Sequence, residues 1–248
     1  MLILEALNDQ ARSMNLPLTK QRAIVREYIQ TIILKALFNT KFGHKIFFMG
    51  GTALRFAYDL PRFSEDLDFN AKNVSLYEFR TLLHAVQKAL ENEGFIGDLT
   101  VKHRKSLIIG KISLSNALQY YKIAVMPNEK LLVKVEINTS SWPLHSESSV
   151  INKFGYLFTA KIMDKGSLLA EKSDAFINRC LPRDIYDLVF LLQHKFPFNE
   201  SILKKKGWKN DYKYTILKKI GHMTPANLLS MARQIQPFLI HEDQTEFI

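Results

Sequence analysis

The chain has 248 residues, 47% of them hydrophobic, and a formal net charge of +10. That length suits one large domain or two small ones with a substantial core, and no stretch approaches the ~18 apolar residues of a membrane helix. A single cysteine, Cys180, excludes an internal disulfide framework, and Met1-Leu2-Ile3-Leu4-Glu5 lacks the basic leader of a signal peptide, so a cytoplasmic protein is expected. With no apolar run of membrane-helix length no membrane partner is expected, and the excess of positive charge points to a polyanionic partner, above all nucleic acid.

In chain order, residues 18–38 form the first predicted helix. Ile24, Val25, Tyr28, Ile29, Ile32, Ile33, Ala36 and Leu37 recur at three- and four-residue spacing, and Thr19 stands at the N-cap. Residues 46–69 organise the rest. An apolar strand, Ile46 to Met49, meets Gly50-Gly51, which opens a helix through Thr52 and Arg55. Two glycines let backbone N–H groups approach a phosphate, and the helix dipole favours the anion. A second strand follows with Asp66 and Asp68 on one face and Leu67 and Phe69 on the other. Two such carboxylates repel each other unless a divalent cation sits between them and a bound phosphate.

A helix is predicted over 75–93, stopped near Gly94. Strands are predicted at Leu107–Leu114, Tyr120–Met126 and Leu131–Asn138, with short connections that favour antiparallel neighbours. In the last of these, alternation puts Lys134 and Glu136 on one face, giving a further strand carboxylate. From about Ser167 the pattern is helical: one helix through Cys180, a break at Pro182, and another from Asp184 to His194. Asp184 is read as an N-cap, a partner of Arg179 or a catalytic acid; Arg62 as a charge neutraliser or a partner of Glu65. Residues 201–220 are lysine-rich, and Lys204, Lys205, Lys206 and Lys209 with Trp208 between them are a candidate RNA-binding cluster. The alternative is a solvated helix face with its aromatics packed inward. The tail after His241 is expected to be loose. The division is a core over 1–165 and a helical subdomain over 166–248.

Together, Gly50-Gly51-Thr52-Ala53-Leu54-Arg55, the run Arg62 to Phe69, Lys134-Val135-Glu136-Ile137, and Ala170-Glu171-Lys172 with Arg179 to Leu188 resemble the AbiEii/AbiGii toxin family. That family lies within the DNA polymerase β-like nucleotidyltransferase superfamily. The resemblance spans roughly residues 25–193. It implies an α/β (α+β) nucleotidyltransferase fold, a small mixed sheet flanked by helices with a helical C-terminal subdomain. It also implies transfer of a nucleotide from an NTP with Mg²⁺ (or Mn²⁺), tRNA or other RNA as acceptor, and a cognate antitoxin in a type IV system. On that resemblance Gly50, Gly51 and Thr52 cradle the triphosphate, and Asp66, Asp68 and Glu136 hold metal. Lys134 and Arg55 meet phosphate, Ser64 lines the nucleotide pocket, and Lys172 and Asp184, with Asp187 beside it, match the later motifs. Two departures stand out: Met49 where many relatives carry Lys, and Glu136 where Asp is commoner. Two other classes stay open, a nucleotidyltransferase acting on a protein or small molecule and a non-catalytic nucleic-acid-binding protein of this fold.

Overall fold

In the computed structural model, which describes residues 1–139, 144–208 and 211–242, the chain divides between two units. One comprises Met1–Asp59 and Phe63–Ile162, the other Leu60–Arg62 and Met163–Ile248.

The first unit contains, in order, α1 (Leu4–Ser13), α2 (Gln21–Phe38), β1 (Ile46–Met49), α3 (Gly50–Ala57), β2 (Leu67–Ala71) and α4 (Leu76–Asn92). There follow β3 (Gly97–Arg104), β4 (Leu107–Leu114), α5 (Ala117–Tyr120), β5 (Leu131–Thr139), β6 (Ser146–Lys153) and β7 (Tyr156–Met163). The strands make one sheet in the order β3-β4-β5-β2-β1-β7-β6. β1 runs antiparallel to β2 and parallel to β7, whereas β2 and β5 are parallel, and β3, β4 and β5 are successive antiparallel neighbours.

Period-two alternation makes this sheet two-faced. Leu67 and Phe69 of β2, Val133, Val135 and Ile137 of β5, and Ile108 and Ile112 of β4 are buried, while Asp68, Lys134 and Glu136 between them are half-exposed. Phe48 of β1 stacks on Phe69 with centroids 5.2 Å apart. α2 and α4 pack on each other and against the apolar face. Gly110 of β4 admits α4 closely, since a Cβ there would lie 2.6 Å from Leu83 Cδ1. α4 is started by a capping box, with Ser75 Oγ accepting from the Glu78 N–H and the Glu78 carboxylate accepting from the Ser75 N–H.

Three expectations are corrected. Thr19 is not an N-cap: Leu18–Lys20 form a 3₁₀ turn and α2 starts at Gln21. Residues 120–126 are not a strand. Tyr121 is buried and donates its hydroxyl to the Leu2 carbonyl (2.9 Å), and Glu129 accepts from the Val125 N–H (2.8 Å), closing an irregular loop. The two helices expected on either side of a break near Pro182 are present, but the first ends at Asn178 and the second opens at Pro182 itself, where the missing N–H has no intrahelical role.

The second unit contains α6 (Lys165–Asn178), α7 (Pro182–Gln193), α8 (Glu200–Lys205), α9 (Tyr212–Gly221) and α10 (Pro225–Ile235). Asp164 caps α6 by accepting from the Ser167 N–H, and Thr224 caps α10. Among the described residues no helix is long and apolar enough to cross a membrane.

α2 is buried nearly all round, polar residues included. Its Glu27 lies between two cations, accepting from Arg55 Nε of α3 (3.1 Å) and from Lys153 Nζ of β6 (2.9 Å), and all three side chains are at most 7% exposed. Burial alone pushes the Glu27 carboxyl upward, but Arg55 and Lys153 outweigh it and hold the group below its ordinary 4.5. A depressed carboxyl contributes stability above its unfolded pKa and loses it as pH falls through the folded value. Glu27→Gln, which leaves two buried cations short of an anion, is therefore expected to lower stability by ~3–5 kcal/mol at neutral pH. In denaturant melts the gap from wild type should persist down to pH 4.5 and narrow below it.

Candidate active site

The end of β1 and the start of α3 bring the glycine turn against the acids. Gly50 has φ +80°, and a Cβ there would lie 2.4 Å from Asp68 Oδ2, so the Asp68 carboxylate sits directly on the bare Cα. The β1–β2 ladder sets this contact by pairing Met49 with Asp68. On its other side, the parallel β2–β5 ladder pairs Asp68 with Glu136, and both side chains leave the same face of the sheet. Asp66 lies one residue before β2. It is reached by Lys134, whose Nζ is 2.8 Å from Asp66 Oδ2 and 3.0 Å from Glu136 Oε1. Burial pulls the Lys134 ammonium down, but these two carboxylates outweigh it and raise its pKa above 10.5. It is charged throughout the neutral range.

The loop entering β2 is held by α2. Gln30 Nε2 donates to the carbonyls of Ser64 (3.0 Å) and Glu65 (2.9 Å), and Arg26 pairs with Glu65 at 2.5 Å. Thr52, at 1% exposure, donates its hydroxyl to the Asp66 carbonyl. Its side chain thus positions Asp66, leaving only its backbone for a phosphate. Ser64, half-buried, is itself part of this loop. Arg55 is corrected more sharply: it is committed to Glu27 in the core and is not a surface phosphate ligand. Gln30 and Arg26 escaped sequence reasoning because nothing in a helical stripe reveals which loop its polar members hold. Asn70, two residues beyond Asp68 on the same strand, was also missed. It is 1% exposed, and its Nδ2 has no hydrogen-bond partner among the described residues.

The acids do not converge as three free carboxylates. Among the described residues no group of three or more His, Cys, Asp and Glu is arranged to hold a metal ion. A lysine ammonium joins Asp66 to Glu136 instead, supplying the positive charge that relieves their repulsion. The donors themselves, carboxylate oxygens on adjoining strands, suit a hard divalent cation such as Mg²⁺ or Mn²⁺.

In the second unit, Lys172 of α6 lies 2.5 Å from Asp187 Oδ2 of α7. Arg62 grips the same carboxylate with two bonds of 2.7 Å, so it pairs with Asp187 and not with Glu65. Asp187 is fully buried; burial pushes its carboxyl upward, but Arg62 and Lys172 outweigh it and hold it below its ordinary value. Asp184, buried, takes two of the roles read for it, partner of Arg179 and cap. Its oxygens accept from Arg179 Nε (2.8 Å), Arg179 Nη2 (2.7 Å) and the Leu181 N–H (3.1 Å), which caps α7. Part of the lysine cluster is engaged within the protein. Lys206 is bonded to Glu171 (3.0 Å) and Asp174 (3.1 Å), and the Trp208 indole donates to Asp174. Lys204 pairs loosely with Glu200, Lys205 is exposed, and Lys209 lies outside the described residues. Acids on α6 thus engage Lys206 and Trp208, while Lys204 and Lys205 stay exposed.

The profile of a family described as nucleotidyl transferase AbiEii toxin, type IV TA system, matches residues 32–244, most of the chain. The chain belongs to this AbiEii family. Its members are nucleotidyltransferases of type IV toxin–antitoxin systems, and the mixed sheet with flanking helices is the nucleotidyltransferase fold. Two solved structures share that fold. JHP933 from Helicobacter pylori is 24% identical, with 90% of this chain and 93% of that one covered and a TM-score of 0.54. MenT4, a nucleotidyltransferase toxin from Mycobacterium tuberculosis, is 20% identical, with 82% and 68% covered and a TM-score of 0.54. No curated protein matches the sequence.

For this AbiEii member the Gly50–Asp68 contact gives a sharp test. Gly50→Ala combines left-handed backbone strain with a Cβ driven into the Asp68 carboxylate. Nucleotidyl transfer should fall on the order of 100-fold, the scale of a ~1 Å misplacement of a reacting group. Gly155→Ala, at φ +78° with nothing within 4 Å, carries the same backbone strain and should leave turnover near wild type.

Proposed function

We propose that the protein transfers a nucleotide from an NTP to a hydroxyl of an RNA acceptor, tRNA above all. It would act as the cytoplasmic toxin of a pair whose antitoxin restrains it. The observation that carries this is the Asp68–Glu136 register, set against the Gly50 turn on one side and bridged to Asp66 by Lys134 on the other. The family supplies nucleotidyl transfer; RNA is supported by the +10 charge.

In this proposal the backbone N–H groups at Gly50, Gly51 and Thr52, at the positive end of α3, receive the triphosphate. Lys134 exchanges its carboxylate partners for phosphate oxygens as the nucleotide enters. Asp66, Asp68 and Glu136 would hold Mg²⁺ or Mn²⁺, which when bound neutralises the triphosphate and acidifies the attacking hydroxyl. The acceptor oxygen bonds to the α-phosphorus as the bond from that phosphorus to the α–β bridging oxygen breaks. Pyrophosphate leaves, and the hydroxyl proton passes to the carboxylate row. Ser64 lies in the loop that leads to Asp66, and Asn70 Nδ2, without a hydrogen-bond partner among the described residues, is a further donor on β2.

The experiment is to incubate the purified protein with each labelled NTP, total RNA and Mg²⁺, and to locate the label. Label on RNA is expected, abolished by EDTA and by Asp68→Asn with the melting curve within ~0.5 kcal/mol of wild type, because a half-exposed acid adds little to the core. Label on protein or small molecules instead would overturn the RNA acceptor. Turnover intact in Asp68→Asn would overturn the site.

A further inference from the structure

The open face of the sheet carries basic residues beyond those the chemistry uses. The β3–β4 ladder pairs Thr100 with Lys111, Lys102 with Ile109 and Arg104 with Leu107; the β4–β5 ladder pairs Lys111 with Lys134 and Ile109 with Glu136. Gly110 and Ile112 meet α4 on the inner side, so Lys111 and its cross-strand neighbours lie on the outer face, the face of Asp68 and Glu136. Lys102, Arg104 and Lys111 are exposed, and none of the three makes an ion pair with a described residue. Lys134 continues the line to the acids.

Charged residues on an edge strand also discourage edge-to-edge association. That accounts for Lys102 and Arg104 on β3, but not for Lys111 on the interior strand β4. Lys111 stands directly opposite Lys134, whose charge Asp66 and Glu136 already balance, so Lys111 adds positive charge to this face that no described carboxylate answers. Around these cations the face offers Thr100 and Ser113 as hydrogen-bonding groups, and Leu132, 55% exposed, as apolar surface.

We propose that the outer face of β3, β4 and β5 is the docking lane for the acceptor strand, holding the phosphates of single-stranded RNA as its terminal hydroxyl reaches Asp68 and Glu136. This deepens the preceding proposal and rests on its RNA acceptor. From β2 to β3 is three strand steps, about 14 Å at ~4.8 Å per step. At the ~3.4 Å per phosphate of a stacked strand that covers about four phosphates. The lane supplies Lys134, Lys111, Lys102 and Arg104.

The test uses the full chain with Lys102→Gln, Arg104→Gln and Lys111→Gln combined, and a short fluorescent single-stranded RNA titrated across a salt series. Each phosphate contact on a single strand contributes ~0.7 to the slope of log affinity against log salt. The triple variant should therefore lose about 2 from that slope, while NTP binding and thermal melting stay at wild-type values. Arg80→Gln with Lys88→Gln, which removes exposed charge from α4 on the opposite face, should leave the slope unchanged. A triple variant with the wild-type slope overturns the lane. If wild type labels RNA nonetheless, the acceptor stands and only the lane falls; if wild type neither binds nor labels RNA, both fall. Polyglutamate binding lost in the triple variant with RNA binding kept would assign the face to an acidic protein and overturn the proposal.

Discussion

The parallel pairing of β2 with β5 is the constraint on which the rest depends. It sets Asp68 beside Glu136, and the same β2, on its other edge, sets Asp68 against Gly50. Side chains alternate along a strand, so a slip of one residue would send Glu136 into the core and Val135 into solvent. Leu67, Phe69, Val135 and Ile137, all at or near zero exposure, forbid that slip. The apolar residues thus hold the chemistry in register without touching any of it.

The unit balances its charges in two places, by opposite means. In the core, one carboxylate, Glu27, serves two cations and ties α2 to α3 and β6. On the outer face, one cation, Lys134, serves two carboxylates. The first arrangement is sealed from water, with all three side chains at most 7% exposed. The second is open to water, where ion pairs are weak and replaceable. An ammonium held in this way keeps the acids apart in energy terms while remaining free to turn to a phosphate.

Gly50-Gly51, Asp68, Lys134 and Glu136 were legible in the sequence because each depends on local rules: a turn that needs glycine, and strand alternation that fixes faces. The family resemblance came from the same residues and is shared by most of the chain. What was not legible depends on distant partners. Arg55 looks like a surface cation in its helix until Glu27 is brought to it, and Lys153 reaches the same acid from β6. Lys206 and Trp208 look like a basic, aromatic binding stretch until α6 presents Glu171 and Asp174. Residues 97–104 and 146–153 carry too few apolar residues for alternation to declare β3 and β6, which close the two ends of the sheet.

The allocation of Leu60–Arg62 to the helical unit means that the polypeptide leaves the sheet unit and returns to it before finally departing after Ile162. The excursion falls between α3 and β2, the two elements that carry the glycine turn and the acids. A truncation after Ile162 would therefore strand Arg62 without Asp187, in the middle of the connection on which Asp66 and Asp68 depend. The two units are not interchangeable cassettes. A helical half grafted from a homologue would have to bring an acid that meets Arg62 where Asp187 now does.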